Sequence, residues 1–202
     1  MDRLHPIEIR VLGSLVEKEL TTPEYYPLTL NALVNACNQK SSREPIVNYD
    51  EDTVVRALEL LRQKGLAVRV SGAGHRVEKH GHTLGERLNL GRREIPLLCV
   101  LMLRGPQTVG EVRARTERMH DFADLEEVER VLDSLAARQP DALVRAMSRG
   151  RWAQTLGEIE TVQDDAHVEA PTSPNLAERV TVLEREVAEL KQTLETFRKQ
   201  FE

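Results

Sequence analysis

Residues 50–70 read Asp-Glu-Asp-Thr-Val-Val-Arg-Ala-Leu-Glu-Leu-Leu-Arg-Gln-Lys-Gly-Leu-Ala-Val-Arg-Val, and the period of the apolar positions changes within them. Val54, Ala57, Leu58 and Leu61 fall on one helical stripe, with Asp50 placed to cap the helix. Gly65 stands where a helix ends in a left-handed residue. Beyond it Leu66, Val68 and Val70 alternate with Ala67 and Arg69, as in a half-buried strand. Ser71-Gly72-Ala73-Gly74 turns the chain, and Arg76 to Lys79 are expected to return as the partner strand.

Upstream lie two more helical segments. Pro6 to Leu20 carries Ile7, Val11, Leu12, Leu15 and Val16 on one stripe, and Thr21-Thr22-Pro23 ends it. A second helix starts near Thr29, with Leu30, Leu33, Val34 and Cys37 facing inward. Three helices followed by a β-hairpin is the winged-helix order. The order then recurs. Glu8-Ile9 with Val11, Leu12, Leu15 and Val16 matches Glu94-Ile95 with Leu97, Leu98, Leu101 and Met102 at an offset of 86. Asp50, Val54, Arg56, Leu58, Glu59 and Leu61 become Asp124, Val128, Arg130, Leu132, Asp133 and Leu135 at an offset of 74. Thr108-Val109-Gly110-Glu111 reads as a capping box that starts the second helix of this copy. Leu143 to Met147, a turn at Ser148-Arg149-Gly150, and Trp152 to Leu156 read as its hairpin. The expected fold is mainly α with small β-hairpins (α+β): tandem winged-helix domains at 1–82 and 83–157, an acidic flexible linker at 158–174 and a coiled-coil helix at 175–202.

Several strings resemble a known family. They include Leu12-Gly13-Ser14-Leu15-Val16-Glu17-Lys18-Glu19, Tyr26-Pro27-Leu28-Thr29-Leu30-Asn31-Ala32-Leu33 and Ala36-Cys37-Asn38-Gln39-Lys40-Ser41. Arg43-Glu44-Pro45, Leu103-Arg104-Gly105-Pro106-Gln107-Thr108 and Phe122-Ala123-Asp124-Leu125 belong with them. Together they resemble the YceH-like family of uncharacterised bacterial proteins, from about Leu4 to Leu156. The resemblance implies two winged-helix domains and almost nothing about activity.

Composition narrows the function classes. Hydrophobic residues make up 40% of the 202 positions and charged residues 30%, with no run long enough for a bilayer span. No signal peptide is visible, so a cytoplasmic protein is expected. Cys37 and Cys99 make neither a disulfide framework nor a zinc set, and both read as buried small hydrophobes. No GxGxxG, P-loop, HExxH or GxSxG motif is present, so we expect no catalytic residues, no cofactor and no enzyme. His75, His80 and His82 with Glu78 crowd the first wing, where a solvated, slightly basic wing outweighs a metal site.

Binding residues are harder to place. The polar loop with Asn38, Gln39, Lys40, Ser41, Ser42 and Arg43 suits phosphate or base edges; the same groups can equally order a long loop. A winged helix is expected to put its third helix in the major groove. Here those helices open on Asp50-Glu51-Asp52 and on Asp124-Leu125-Glu126-Glu127, whose carboxylates repel phosphate. Cations stand elsewhere: Arg76 and Lys79 on the first wing, Arg113, Arg115 and Arg118 on helix two of the second copy, and Arg145, Arg149 and Arg151 at its wing. Two classes stay open: a DNA-associated transcriptional regulator, and a protein–protein adaptor that uses winged-helix domains without DNA. Neither involves a membrane.

The tail carries the charge. Residues 158–202 hold 11 of the 33 Asp and Glu but 5 of the 28 Lys and Arg, which accounts for the net charge of −5. Leu176, Val180, Leu183, Val187, Leu190, Leu194, Phe197 and Phe201 alternate spacings of 4 and 3. Val at a with Leu at d favours a parallel two-stranded coil, and Arg179 to Glu184 and Glu186 to Lys191 then pair across it. An amphipathic helix folded back on the body is the alternative. Each buried seam side chain contributes about 1.5–3 kcal/mol before association costs. The chain is therefore expected to be a homodimer at micromolar concentration. Leu183→Asp with Leu190→Asp should give a folded monomer by sedimentation equilibrium. A chain cut after Gly157 that stays dimeric would move the interface to the body.

Overall fold

The computed structural model describes residues 3–70 and 77–157, so Arg76, His75, the 158–174 linker and the 175–202 heptads lie outside the described residues. The described residues belong to one compact unit, Met1–Ile159. They are α+β and use one order of elements twice. The first pass runs α1 (Pro6–Thr21), β1 (Leu28–Thr29), α2 (Leu30–Cys37), α3 (Glu51–Gln63), β2 (Ala67–Val70) and β3 (Lys79–His82). A short helix α4 (Leu84–Leu88), which the pattern did not announce, leads to the second pass. That pass runs α5 (Glu94–Arg104), β4 (Gln107–Thr108), α6 (Val109–Thr116), α7 (Leu125–Ala136), β5 (Val144–Ala146) and β6 (Arg151–Gln154).

The caps are those the sequence announces. The Asp50 carboxylate accepts from Thr53 N at 2.8 Å and the Asp124 carboxylate from Glu127 N at 2.7 Å. Thr108 and Glu111 close a reciprocal capping box at the start of α6. Gly65 ends α3 at φ +68°, a conformation that costs a side-chain-bearing residue energy.

Each sheet has three antiparallel strands, in the orders β1-β3-β2 and β4-β6-β5. Two expectations for the first hairpin change. The return strand is Lys79–His82, three residues later than Arg76–Lys79. Leu28 and Thr29 pair with His80 and Lys79, and the Tyr26 hydroxyl accepts from His82 N at 2.6 Å, which fixes the strand there. Val68 and Val70 are 39% and 36% exposed, so the expected half-buried alternation is not kept: within β2 only Ala67 at its start is buried, and among the described residues nothing covers the face that Val68 and Val70 share. The histidines are not a solvated wing either. His80 and His82 lie on the central strand with side chains only 9% and 4% exposed. Burial lowers the pKa of each imidazole, for His82 against the raising effect of Glu19 at 2.7 Å. Among the described residues, no group of three His, Cys, Asp or Glu could hold a metal ion.

The largest departure from a simple stripe is α1, where every residue from Glu8 to Val16 is buried. Pro96 to Leu103 of α5 are likewise all buried. The two helices pack on each other, so each covers the face that the other would expose. Both element sets thereby share one hydrophobic core across the 82/83 boundary. The contact is close at Gly13, whose carbonyl accepts from the Cys99 thiol at 3.5 Å. A Cβ on Gly13 would stand 2.9 Å from Leu103 Cδ2 and 3.2 Å from Met102 Cβ. The charged groups Glu8 and Arg10 trapped in α1 are paired, whereas the buried Ser14 hydroxyl has no hydrogen-bond partner among the described residues. Glu8 takes Lys64 Nζ at 2.7 Å, and Arg10 donates to Cys37 O at 3.2 Å and Pro45 O at 2.6 Å.

The loop after α2 is fastened as firmly. Asn38 exchanges two 2.8 Å bonds with the Tyr49 backbone. Arg43, with a fully buried side chain, donates to Ala36 O at 3.1 Å and grips both oxygens of Glu17 at 3.0 and 2.5 Å. Glu44 N donates to Leu103 O at 2.8 Å, tying the loop to α5.

Two outcomes follow. Gly13→Val should destabilise the protein by about 1–3 kcal/mol through overpacking at the helix crossing, read by urea unfolding. Burial pushes the Glu17 carboxyl upward, but Arg43's hydrogen bonds and charge overcome this and hold its pKa below the usual 4.5. A depressed carboxylate stabilises the fold above its unfolded pKa, and that share is lost as pH falls through the folded value. Stability should therefore drop from about pH 4.5 downward, and Glu17→Gln should flatten that part of the profile. An unchanged acid limb in Glu17→Gln would remove the pair from the account.

Candidate functional site

A cleft of about 490 Å³ opens beside the α1–α5 crossing. Its walls come from the C-terminal end of α1, the 39–42 loop, the end of α5 and the end of α6 with the residues after it. Lys18, Lys40, Arg104, Arg115 and Arg118 line it, together with Gln39, Ser41 and Ser42. Val100, Leu103 and Met119 supply an apolar part. The local structure explains each position. Thr21 and Thr22 donate to Glu17 O and Lys18 O at 2.8 and 3.2 Å, closing α1 so that Lys18 faces the cleft from its last turn. Arg43 and Asn38 hold the loop from beneath, and Ser42 takes a left-handed φ of +60° at its bend.

The electrostatics are one-sided. Glu17, the carboxylate in the lining, already binds Arg43 and sits 3.6 Å from Lys18. Arg115 is 3.7 Å from Glu111, its neighbour one turn back. Lys40, Arg104 and Arg118 make no side-chain hydrogen bond or ion pair among the described residues. Burial pulls the Arg104 pKa down, and the charge of Arg115 lowers it further.

The structure distributes the sequence-derived candidates unevenly. Gln39, Lys40, Arg115 and Arg118 meet in the cleft. Asn38 and Arg43 spend their polar atoms on the loop itself, the second of the two readings given for that loop. Arg113 donates to Phe122 O and Ala123 O at 3.2 and 3.1 Å, which holds the segment before α7. Arg151 donates to Pro106 O at 2.9 Å and reaches Glu111 at 3.4 Å. Arg149 is exposed at the β5–β6 turn with φ +57°, and Lys79 is half-buried on β3. Lys18 and Arg104 were not among the candidates. Each sits in the last turn of its helix, where a cation merely complementing the helix dipole is ordinary. The signal was their equivalence at the offset of 86, the separation of the touching pair Gly13 and Cys99.

Both cysteines are buried, and burial pushes the Cys37 thiol up to about 11 and Cys99 upward as well. The outer faces of the third helices are acidic. Glu51, Asp52 and Glu59 are exposed on α3 beside Arg56, and Glu126, Glu129 and Asp133 on α7 beside Arg130. Val55 and Leu60 on α3 and Leu125 on α7 are exposed among them.

Comparison with known proteins covers nearly all of this. A family described as "Protein of unknown function, DUF480" matches residues 4–152. A UPF0502 protein of Solibacter usitatus (strain Ellin6076) is 53% identical over 99% of this chain and 98% of its own length. A UPF0502 protein of Opitutus terrae is 52% identical over 93% of this chain and 83% of its own. One from Geobacter sulfurreducens is 46% identical over 98% of both. With the matched stretch spanning both passes of the fold, including the 39–42 loop and the ends of α1, α5 and α6, the chain belongs to the DUF480/UPF0502 family of uncharacterised bacterial proteins, with which the YceH-like resemblance agrees.

Proposed function

We propose that this protein is a non-enzymatic, DNA-associated regulator of the cytoplasm, built from two winged-helix modules and dimerised by its C-terminal heptads. The observation that carries the reading is the doubled order of helix, strand, two helices and hairpin, with the hairpin strand at the centre of each small sheet. Such modules present a helix and a wing to a duplex. The acidic outer faces of α3 and α7 make groove entry by those helices unfavourable. Phosphate contact then falls to Arg145 and Arg149 on the second hairpin, both exposed and without a side-chain partner among the described residues. Buried, unpaired cysteines suit a reducing compartment. Among the described residues no helix is long and apolar enough to cross a membrane.

A second reading, the protein–protein adaptor, is favoured by one observation. Val55, Leu60, Val68 and Val70 are exposed on α3 and the edge strand β2 of the first pass. These are apolar side chains on the surface that a winged helix would use for DNA.

An electrophoretic shift with mixed genomic fragments across a salt series separates the two. The regulator should bind at low salt, with log affinity falling by about 0.9 for each phosphate neutralised per decade of salt. Arg145→Ala with Arg149→Ala should weaken binding to all fragments and reduce the slope by up to about two units. No shift at any salt would end the DNA reading and leave the adaptor.

A further inference from the structure

The cleft beside the α1–α5 crossing has a composition that DNA contact at the second hairpin does not use. Three helices end around it, and their carbonyl ends together contribute about one and a half negative charges. That is the ordinary reason for cations to gather there. It falls short here. Lys18, Lys40, Arg104, Arg115 and Arg118 converge, while Glu17 is taken by Arg43 and Glu111 lies between Arg115 and Arg151. Lys40, Arg104 and Arg118 form no ion pair among the described residues, with the charges of Glu17 and Glu44 acting on Arg104 only through space. The Ser41 and Ser42 hydroxyls also make no hydrogen bond among the described residues, and both line the cleft. Guanidinium groups with hydroxyl donors are the chemistry that binds phosphate oxygens.

Size and shape restrict the occupant. At about 490 Å³ the cleft falls within the usual range for small-molecule sites and is too small to enclose a duplex. Met119, half-buried, gives it an apolar contact that a bare inorganic anion would leave wet, while Val100 and Leu103 line it at only 3% and 2% exposure. We infer that this cleft binds a small phosphorylated metabolite of nucleotide size, its phosphates on Arg104, Arg118 and Lys40 and its less polar part against Met119. The site draws on both passes of the fold, so its occupant bridges α1 and the 39–42 loop to α5 and α6.

The inference stands apart from DNA binding, and calorimetry on the full chain at low salt tests it. ATP and pyrophosphate serve as probes, with adenosine as the control that lacks phosphate. ATP is expected to bind more tightly than pyrophosphate, and adenosine at least tenfold more weakly than ATP. Lys40→Gln with Arg118→Gln removes two exposed cations that hold no other part of the structure, so the fold should be kept, as thermal unfolding will check. This variant should lose at least tenfold in ATP affinity, and Arg104→Gln the same, while Arg145→Ala with Arg149→Ala should bind ATP unchanged. Absence of heat with ATP and with pyrophosphate overturns the inference, and so does an unchanged affinity in the Lys40/Arg118 variant. If genomic DNA displaces ATP and the cleft variant loses DNA in parallel, the cleft is part of a DNA path; the small-ligand site is then rejected while the DNA reading survives. ATP binding without any DNA shift gives the reverse.

Discussion

The crossing of α1 and α5 is the contact on which the other features depend. A glycine at position 13 lets the two backbones approach closely enough for a thiol of one helix to reach a carbonyl of the other. Both helices are then enclosed, and the apolar residues of α1 outside its expected stripe find partners in α5. Neither small three-stranded sheet could supply such a core. The β1 and β4 strands are two residues each, and β2 leaves its outer residues in solvent. Burial along the helix pair therefore joins the core of the two passes, each Å² removed from water contributing about 25 cal/mol.

The same crossing accounts for the electrostatics. Helices that meet at equivalent points of a repeat bring equivalent ends together. Lys18 and Arg104, harmless at the ends of two separate helices, become neighbours on one cleft. Arg43 then has a distinct part. Its buried guanidinium neutralises Glu17, which would otherwise offset part of the charge of the cleft, and its bond to Ala36 O holds the 39–42 loop at the rim. One side chain thus supports both the shape and the positive balance of the site. An Arg–carboxylate fork with low exposure is the kind of ion pair whose loss leaves an uncompensated charge, so its geometry is over-determined.

Element type was legible in the chain because it rests on local physics. The Asp50 and Asp124 caps, the Thr108–Glu111 box and the Gly65 stop each act over a few residues, and each lies where the spacing of apolar residues puts it. The strand register at Lys79–His82 was less so. It is set by Tyr26 and β1, which lie 50 to 56 residues upstream of their partners and leave no mark on the hairpin's own sequence. The histidines of β3 followed that shift into burial.

The sequence by itself determined the six longer helices, the caps of α3, α6 and α7, the repetition of the plan and the identity of the cations. Those are set by periods and by hydrogen bonds between near neighbours. Only the tertiary structure decided which cations are spent and which are free. Arg43 and Arg113 satisfy carbonyls and a carboxylate that the chain brings to them, whereas Lys40 and Arg118 face open cleft. A charged side chain looks the same in the sequence in either case. What separates them is whether folding delivers a buried acceptor within about 3 Å, and that depends on the packing of helices far apart along the chain.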